Sequence, residues 1–134
     1  MTDIAVGSEA DASWIVQDSD LASRLSDGHS GTFPDVFSTA RMVALMELAA
    51  ARVLSPVLAP GELSVGVLVD VVHTAATPPG VRVRATARYI GREGKAWAFE
   101  VIAYDPAGEI GRGKHRRAII DSERLVRGAA KRSG

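Results

Sequence analysis

The sequence predicts an α+β domain in which one long central helix is wrapped by an antiparallel five-stranded sheet. Three observations carry this. The stretch from Val36 to about Leu54 has helical apolar spacing, with Pro34 just ahead of it and Pro56 just behind. Everything after Gly61 alternates at the period of two that a half-buried strand requires. Short turns rich in Gly and Pro separate these runs, as they do between successive antiparallel strands.

In chain order, Ser13-Trp-Ile-Val-Gln17 reads as a short first strand, followed by a helical turn near Leu21–Leu25. The segment Ser26-Asp-Gly-His-Ser-Gly-Thr32 has the composition of a mobile loop. After the helix, Leu63, Val65, Val67, Val69, Val71, His73 and Ala75 share one parity of a long strand that ends at Thr77-Pro-Pro-Gly80. Val81, Val83, Ala85, Ala87 and Tyr89 alternate with Arg82, Arg84, Thr86 and Arg88 in the next strand. Gly91–Gly94 turns, Trp97, Phe99, Val101 and Ala103 repeat the alternation, and Asp105-Pro-Ala-Gly108 turns again into a last strand from about Ile110 to Ile120. The expected connectivity is strand, helix, then four strands in an antiparallel meander. Residues 1–124 read as a single domain and 125–134 as a disordered basic tail.

Within the helix, Val43-Ala-Leu-Met-Glu-Leu-Ala-Ala-Ala51 carries one carboxylate, Glu47, in otherwise apolar surroundings. A helix apolar on nearly every side is expected to be buried, and a buried carboxylate is costly unless compensated. The positions three and four residues away are Val43, Ala44, Ala50 and Ala51, so no helical neighbour supplies a cation. The compensation must come from elsewhere in the fold, a partner chain or a ligand.

With 134 residues, 46% of them apolar, the chain is one ordinary globular domain. No charge-free apolar run reaches the roughly 18 residues of a membrane span, and no basic segment followed by an apolar block opens the chain. The expected location is cytoplasmic. The absence of cysteine excludes disulfides and thiolate chemistry, and no metal or cofactor is expected. Residues 1–50 hold eight acids and two bases, whereas residues 81–134 hold thirteen bases and six acids, four of the bases within Arg112–Arg117. Such asymmetry fits either a phosphate-bearing ligand or a solvated strand face. A nucleic-acid partner is not favoured, because the domain is neutral overall and lacks an aromatic-rich binding motif.

A helix hydrophobic all round needs a sheet curled about it, and the sheet face or edge left over favours a homodimer, with pairing of dimers into a tetramer left open. That layout is the hotdog architecture. Four blocks then resemble the fluoroacetyl-CoA thioesterase group of hotdog enzymes: Phe33-Pro-Asp-Val-Phe-Ser-Thr-Ala-Arg-Met-Val-Ala-Leu-Met-Glu47, Pro60-Gly-Glu-Leu-Ser-Val-Gly66, His73-Thr-Ala-Ala-Thr-Pro-Pro-Gly80 and Glu109-Ile-Gly-Arg-Gly-Lys-His-Arg-Arg117. The resemblance implies hydrolysis of an acyl-CoA by a Thr, a Glu and a His, which fall on Thr39, Glu47 and His73. It also implies a pocket glycine at Gly66, a substrate-contacting arginine at Arg117, and an aromatic lid residue at Phe33 with Val36 beside it. Gly28-His-Ser-Gly-Thr32, ahead of the lid position, is small and polar where the fluoroacetyl enzyme is more apolar, which points to another short acyl group.

On residue chemistry alone, each position keeps two readings. Thr39 is a nucleophile or water-orienting group, or else the helix N-cap. Glu47 is a general base, a nucleophile forming a mixed anhydride, or a structural carboxylate. His73 is a proton-handling partner of Glu47 or a core histidine. Gly66 allows a thioester close to the strand or marks a bulge. Arg117 shares the parity of Gly111, Gly113, His115 and Ile119, so it is placed to face a ligand channel. His29 and His115 read as ordinary residues, and Trp14 and Trp97 as core. Eight helical positions, about 12 Å of rise, separate Thr39 from Glu47, so a site using both is expected to be composite, with groups from two subunits. The same fold and Glu/His chemistry also suit an acyl-CoA hydratase or dehydratase, and a non-catalytic acyl-CoA-binding module is the third reading.

Overall fold

The computed structural model describes residues 3–26 and 32–134. Its elements are β1 (Glu9–Ile15), α1 (Thr39–Leu54), β2 (Glu62–His73), β3 (Arg82–Glu93), β4 (Ala96–Asp105), β5 (Gly108–Asp121) and α2 (Ser122–Arg132). The five strands form one antiparallel sheet in the order β1-β3-β4-β5-β2. Helix α1 packs against every strand of it, the hotdog arrangement. Residues 27–31 of the expected loop, His29 among them, lie outside the described residues.

The expected meander holds only for β3, β4 and β5. β2 does not pair with β3; it runs beyond β5 and forms the far edge. The cause is the connection from Thr74 to Val81, whose two prolines cannot donate to a ladder and whose length exceeds a tight hairpin. This crossover is pinned where it passes the start of α1. Thr74 N–H donates to Ile110 O (2.7 Å), Phe37 N–H to Thr77 O (2.8 Å), and the buried Thr77 hydroxyl to Asp105 Oδ2 (2.8 Å). It thereby fixes the end of β2 against the first turn of α1.

Helix α1 starts at Thr39, later than the apolar pattern suggested, because Ser38 caps it by accepting from Arg41 N–H at 3.1 Å. It is not buried all round. Met42, Leu45, Met46, Ala49, Ala50, Val53 and Leu54 are buried, whereas Val43, Ala44, Glu47, Leu48 and Ala51 are half-exposed. The buried face meets Phe37, Phe99, Val83, Val101 and Ile110, and each large apolar side chain so buried contributes about 1.5–3 kcal/mol. Trp97 is buried and Trp14 packs against this core.

The single parity expected along β2 is broken by a bulge between Gly66 and Leu68. Before it, Gly66 faces α1; after it, Val71 and His73 do, opposite Gly113 and Gly111. Gly111 is what lets the helix approach. A Cβ there would lie 2.6 Å from both Met42 Sδ and the Val72 carbonyl, and the carbonyl belongs to rigid ladder backbone. Gly111→Ala is accordingly expected to lower unfolding free energy by about 1–3 kcal/mol in urea denaturation. An unchanged midpoint would show that the sheet yields at this point.

Two boundaries also differ from expectation. β1 begins at Glu9, its start hidden because Ala10 and Ala12 give a weak apolar signal. The tail expected to be disordered from residue 125 is instead helical from Ser122 to Arg132. Asp121 caps that helix through Arg124 N–H, Glu123 pairs with Arg127 one turn on, and Lys131 and Arg132 face the negative end of its dipole. Among the described residues, no helix is long and apolar enough to cross a membrane.

Candidate active site

The expected residues gather into two groups at different points along α1. At its first turn, Thr39 Oγ1 lies 2.8 Å from His73 Nδ1. Because Ser38 provides the cap, the Thr39 hydroxyl is released from that duty and serves the imidazole instead. Burial pushes His73 below its ordinary value of 6.5, and the Ala75 backbone partly offsets this. Burial thus favours the neutral ring, which in the Nε2–H tautomer accepts the Thr39 hydroxyl hydrogen at Nδ1. Its other nitrogen, Nε2, is buried with no hydrogen-bond partner among the described residues. A cleft of about 390 Å³ opens here, lined by Pro34, Val36, Phe37, Ser38, Thr39 and His73. Val36 is in its wall; Phe33 is half-exposed (51%) beside the segment and does not line it.

Two turns further along α1 is Glu47. Its partner is not His73 but Arg117, whose Nη1 donates to Glu47 Oε2 at 3.0 Å. The carboxylate is 39% exposed, so the sequence-based picture of a deeply buried acid is corrected, whereas the compensation expected from elsewhere in the fold is present as a cation from β5. Arg117 itself is buried (6%) and nearly saturated. Nε donates to Ser64 Oγ and Nη2 to Ser64 O, both at 2.9 Å, while Nη1 serves Glu47 and, at 3.1 Å, His115 Nε2.

Gly66 belongs to this second group, and the structure shows the bulge reading of it. It borders the bulge, and a Cβ there would stand 2.5 Å from Glu47 Oε2 and 3.1 Å from His115 Cε1. The strand backbone thus passes directly beneath the carboxylate, where any side chain would occupy the approach to it.

His115, read from sequence as an ordinary residue, is 1% exposed and packed within this group, beside Phe99. The signal that could have marked it is its parity with Arg117, two positions on along the same strand face. Of the remaining basic run, Arg112 pairs with Glu109 and Arg116 with Glu93, so two of its charges answer neighbouring acids.

The chain therefore presents a hydroxyl–imidazole pair and a carboxylate–guanidinium pair, each joining a side chain of α1 to one from the sheet. The first can move a proton and deliver an oxygen nucleophile; the second holds a carboxylate in a set orientation beside exposed backbone.

The chain is similar to known proteins in both sequence and fold. The model of the FlK family, fluoroacetyl-CoA-specific thioesterase, matches residues 16–123. The fluoroacetyl-CoA thioesterase of Streptantibioticus cattleyicolor is 49% identical over 93 residues, 69% of this chain and 67% of that protein. A solved structure of the fluoroacetyl-CoA thioesterase FlK superposes with a TM-score of 0.89 at 38% identity, covering 97% of this chain and 98% of the other. A thioesterase superfamily member from Thermus thermophilus superposes with a TM-score of 0.86 at 32% identity, covering 98% and 97%.

Proposed function

The chain belongs to the fluoroacetyl-CoA-specific thioesterase family, and we propose on that premise that it hydrolyses a short acyl-CoA to the free acid and CoA. The observation that carries the reading is the Thr39–His73 hydrogen bond in the wall of a cleft of about 390 Å³. In this reading Thr39 attacks the thioester carbonyl or orients the attacking water, and His73 Nδ1 takes the proton. The carbon–sulfur bond breaks and the proton held on His73 passes to the departing CoA sulfur; where Thr39 is the nucleophile, water then hydrolyses the acyl-Thr39 ester, releasing the acid and restoring the hydroxyl. Gly66 gives the thioester room against the strand, while Glu47 activates water or stabilises charge. Val36, in the cleft wall, flanks the acyl end, and Phe33, which does not line the cleft, is the lid candidate. Arg117 touches substrate only through its remaining Nη2 hydrogen, and otherwise acts through Glu47.

We place the working site between two subunits of a homodimer. β2 is a sheet edge with Leu63, Val67, Val69 and Val72 exposed beside it, and the half-exposed face of α1 carries Val43, Glu47 and Leu48. His73 Nε2, without a hydrogen-bond partner among the described residues, and the solvent-reached Glu47 are complementary ends that a two-fold arrangement would bring together, Glu47 of the partner subunit facing His73 of the first.

The expected result is thiol release from at least one short substrate in a panel of acetyl-, fluoroacetyl-, propionyl- and aryl-CoA. Water addition to an enoyl-CoA without thiol release would instead make the chain a hydratase. Ligand-dependent thermal stabilisation without turnover would make it a binding module.

A further inference from the structure

We propose that His115 is a positioning residue for the reaction: as a neutral imidazole it accepts one Nη1 hydrogen of Arg117, so that the other is delivered to Glu47 in a single orientation. The proposal rests on the reading of Glu47 as a participant in thioester hydrolysis.

The hydrogen-bond chain fixes the tautomer. His115 Nδ1 is 2.8 Å from the Leu68 carbonyl, which can only accept, so Nδ1 carries the hydrogen. Nε2 then holds the lone pair, and its neighbour at 3.1 Å is Arg117 Nη1, which can only donate. The carbonyl is that of Leu68, at the bulge, so the irregularity that turns Gly66 toward Glu47 also provides the imidazole's anchor. Ser64 clamps the other side of the guanidinium through Nε and Nη2. With both ends held, Arg117 has no freedom to swing, and Glu47 Oε2 is drawn over Gly66.

Among the described residues, α1 presents Glu47 to His115, β5 presents Arg117, β2 presents Leu68 O and Gly66, and β4 presents Phe99. The charged groups acting on it among those residues are Arg117, in direct contact, and Glu47 beyond it. Protonation of Nε2 would place two cations against each other in a buried site and abolish the Arg117 hydrogen bond. Burial pushes the His115 pKa down, with Arg117 adding to the effect, while Leu68 O and Glu47 oppose it. The ring therefore stays neutral through the physiological range, and the arrangement fails on acidification.

Three measurements on the full-length protein test this. In His115→Phe, which keeps ring volume but removes both nitrogens, kcat for the best short acyl-CoA should fall about tenfold with KM within about twofold. In His115→Gln, whose amide oxygen reaches Arg117 without titrating, kcat at pH 8 should return to within about threefold of wild type, and the acid limb of the pH profile should lose the slope His115 contributes. His73 is intact in both proteins, so its own limb remains. In the wild type, long-range 1H–15N spectra of labelled histidine should show His115 as the Nδ1–H tautomer at pH 7.5.

A folded His115→Phe with wild-type kcat overturns the proposal. So does an unaltered acid limb in His115→Gln, or an Nε2–H tautomer, and these two decide the matter if the phenylalanine variant does not fold. Glu47→Ala, assayed alongside, separates the layers. If it runs at the wild-type rate, the reading of Glu47 fails; if it is slow while His115→Phe is fast, only His115's role fails.

Discussion

Alanine at His73 should lower kcat by at least ~100-fold, the usual scale for losing a proton acceptor from the reacting centre. The imidazole is the group that meets the Thr39 hydroxyl, at 2.8 Å, and without it a threonine near neutral pH is a poor nucleophile and a poor orienter of water. The fold should survive, because His73 ends an edge strand and is half-exposed, and its backbone pairing with Gly111 does not need the ring. Thiol release and thermal melting together make the comparison: a folded variant at near wild-type rate would defeat the assignment. The pH dependence of the wild type should follow the same group. Burial lowers the folded pKa of His73 below 6.5, so in the window beneath that value the unfolded chain binds the proton more tightly. Stability is therefore present above 6.5 and lost as pH falls through the folded pKa. Activity, which needs the neutral ring, should be lost over that lower range as well. His115 shifts in the same direction, so the two add in stability measurements.

What the sequence disclosed, and what it hid, follows from the range of the interactions. Helix α1 and the alternation of β3 and β4 were legible because both are local periodicities, set by neighbours a few positions apart. The place of β2 was not, since pairing with β5 is non-local and only the proline-rich crossover hinted at it. The bulge at Gly66–Leu68 is a one-residue slip inside a Val-rich run, and it reverses which side chains face the helix without altering composition. Helix α2 had its signals in plain view in Asp121-Ser-Glu-Arg124, but a strongly charged segment masked them. At the site, block resemblance led to Thr39, Glu47, His73, Gly66 and Arg117. The pairing among them was legible only in part: the eight-position gap already argued that Thr39 and Glu47 cannot meet along one helix. That Glu47 takes Arg117 from β5, 70 residues on, no helical spacing rule could supply.

Glu47 is the position at which structure and catalysis are easiest to confuse, and two substitutions separate them. Glu47→Ala is expected to cost ~100-fold or more in turnover. It also strips Arg117 of its carboxylate while leaving the guanidinium 6% exposed, held by Ser64 and His115 alone. That should lower stability by about 1–3 kcal/mol, less than the loss of a fully buried pair because solvent already reaches the acid. A slow alanine variant is therefore ambiguous by itself. Glu47→Gln resolves it. The amide oxygen can still accept from Arg117 Nη1 in nearly the same volume, so the melting temperature should return close to wild type, but the amide is neither a base nor an anionic nucleophile. If the carboxylate takes part in chemistry, the glutamine variant stays ~100-fold slow although its fold is intact. If Glu47 serves only to neutralise Arg117, turnover recovers with stability, and the acid is an ordinary structural partner. Because Gly66 leaves its approach open on one side and Arg117 fixes it from the other, the former outcome is expected.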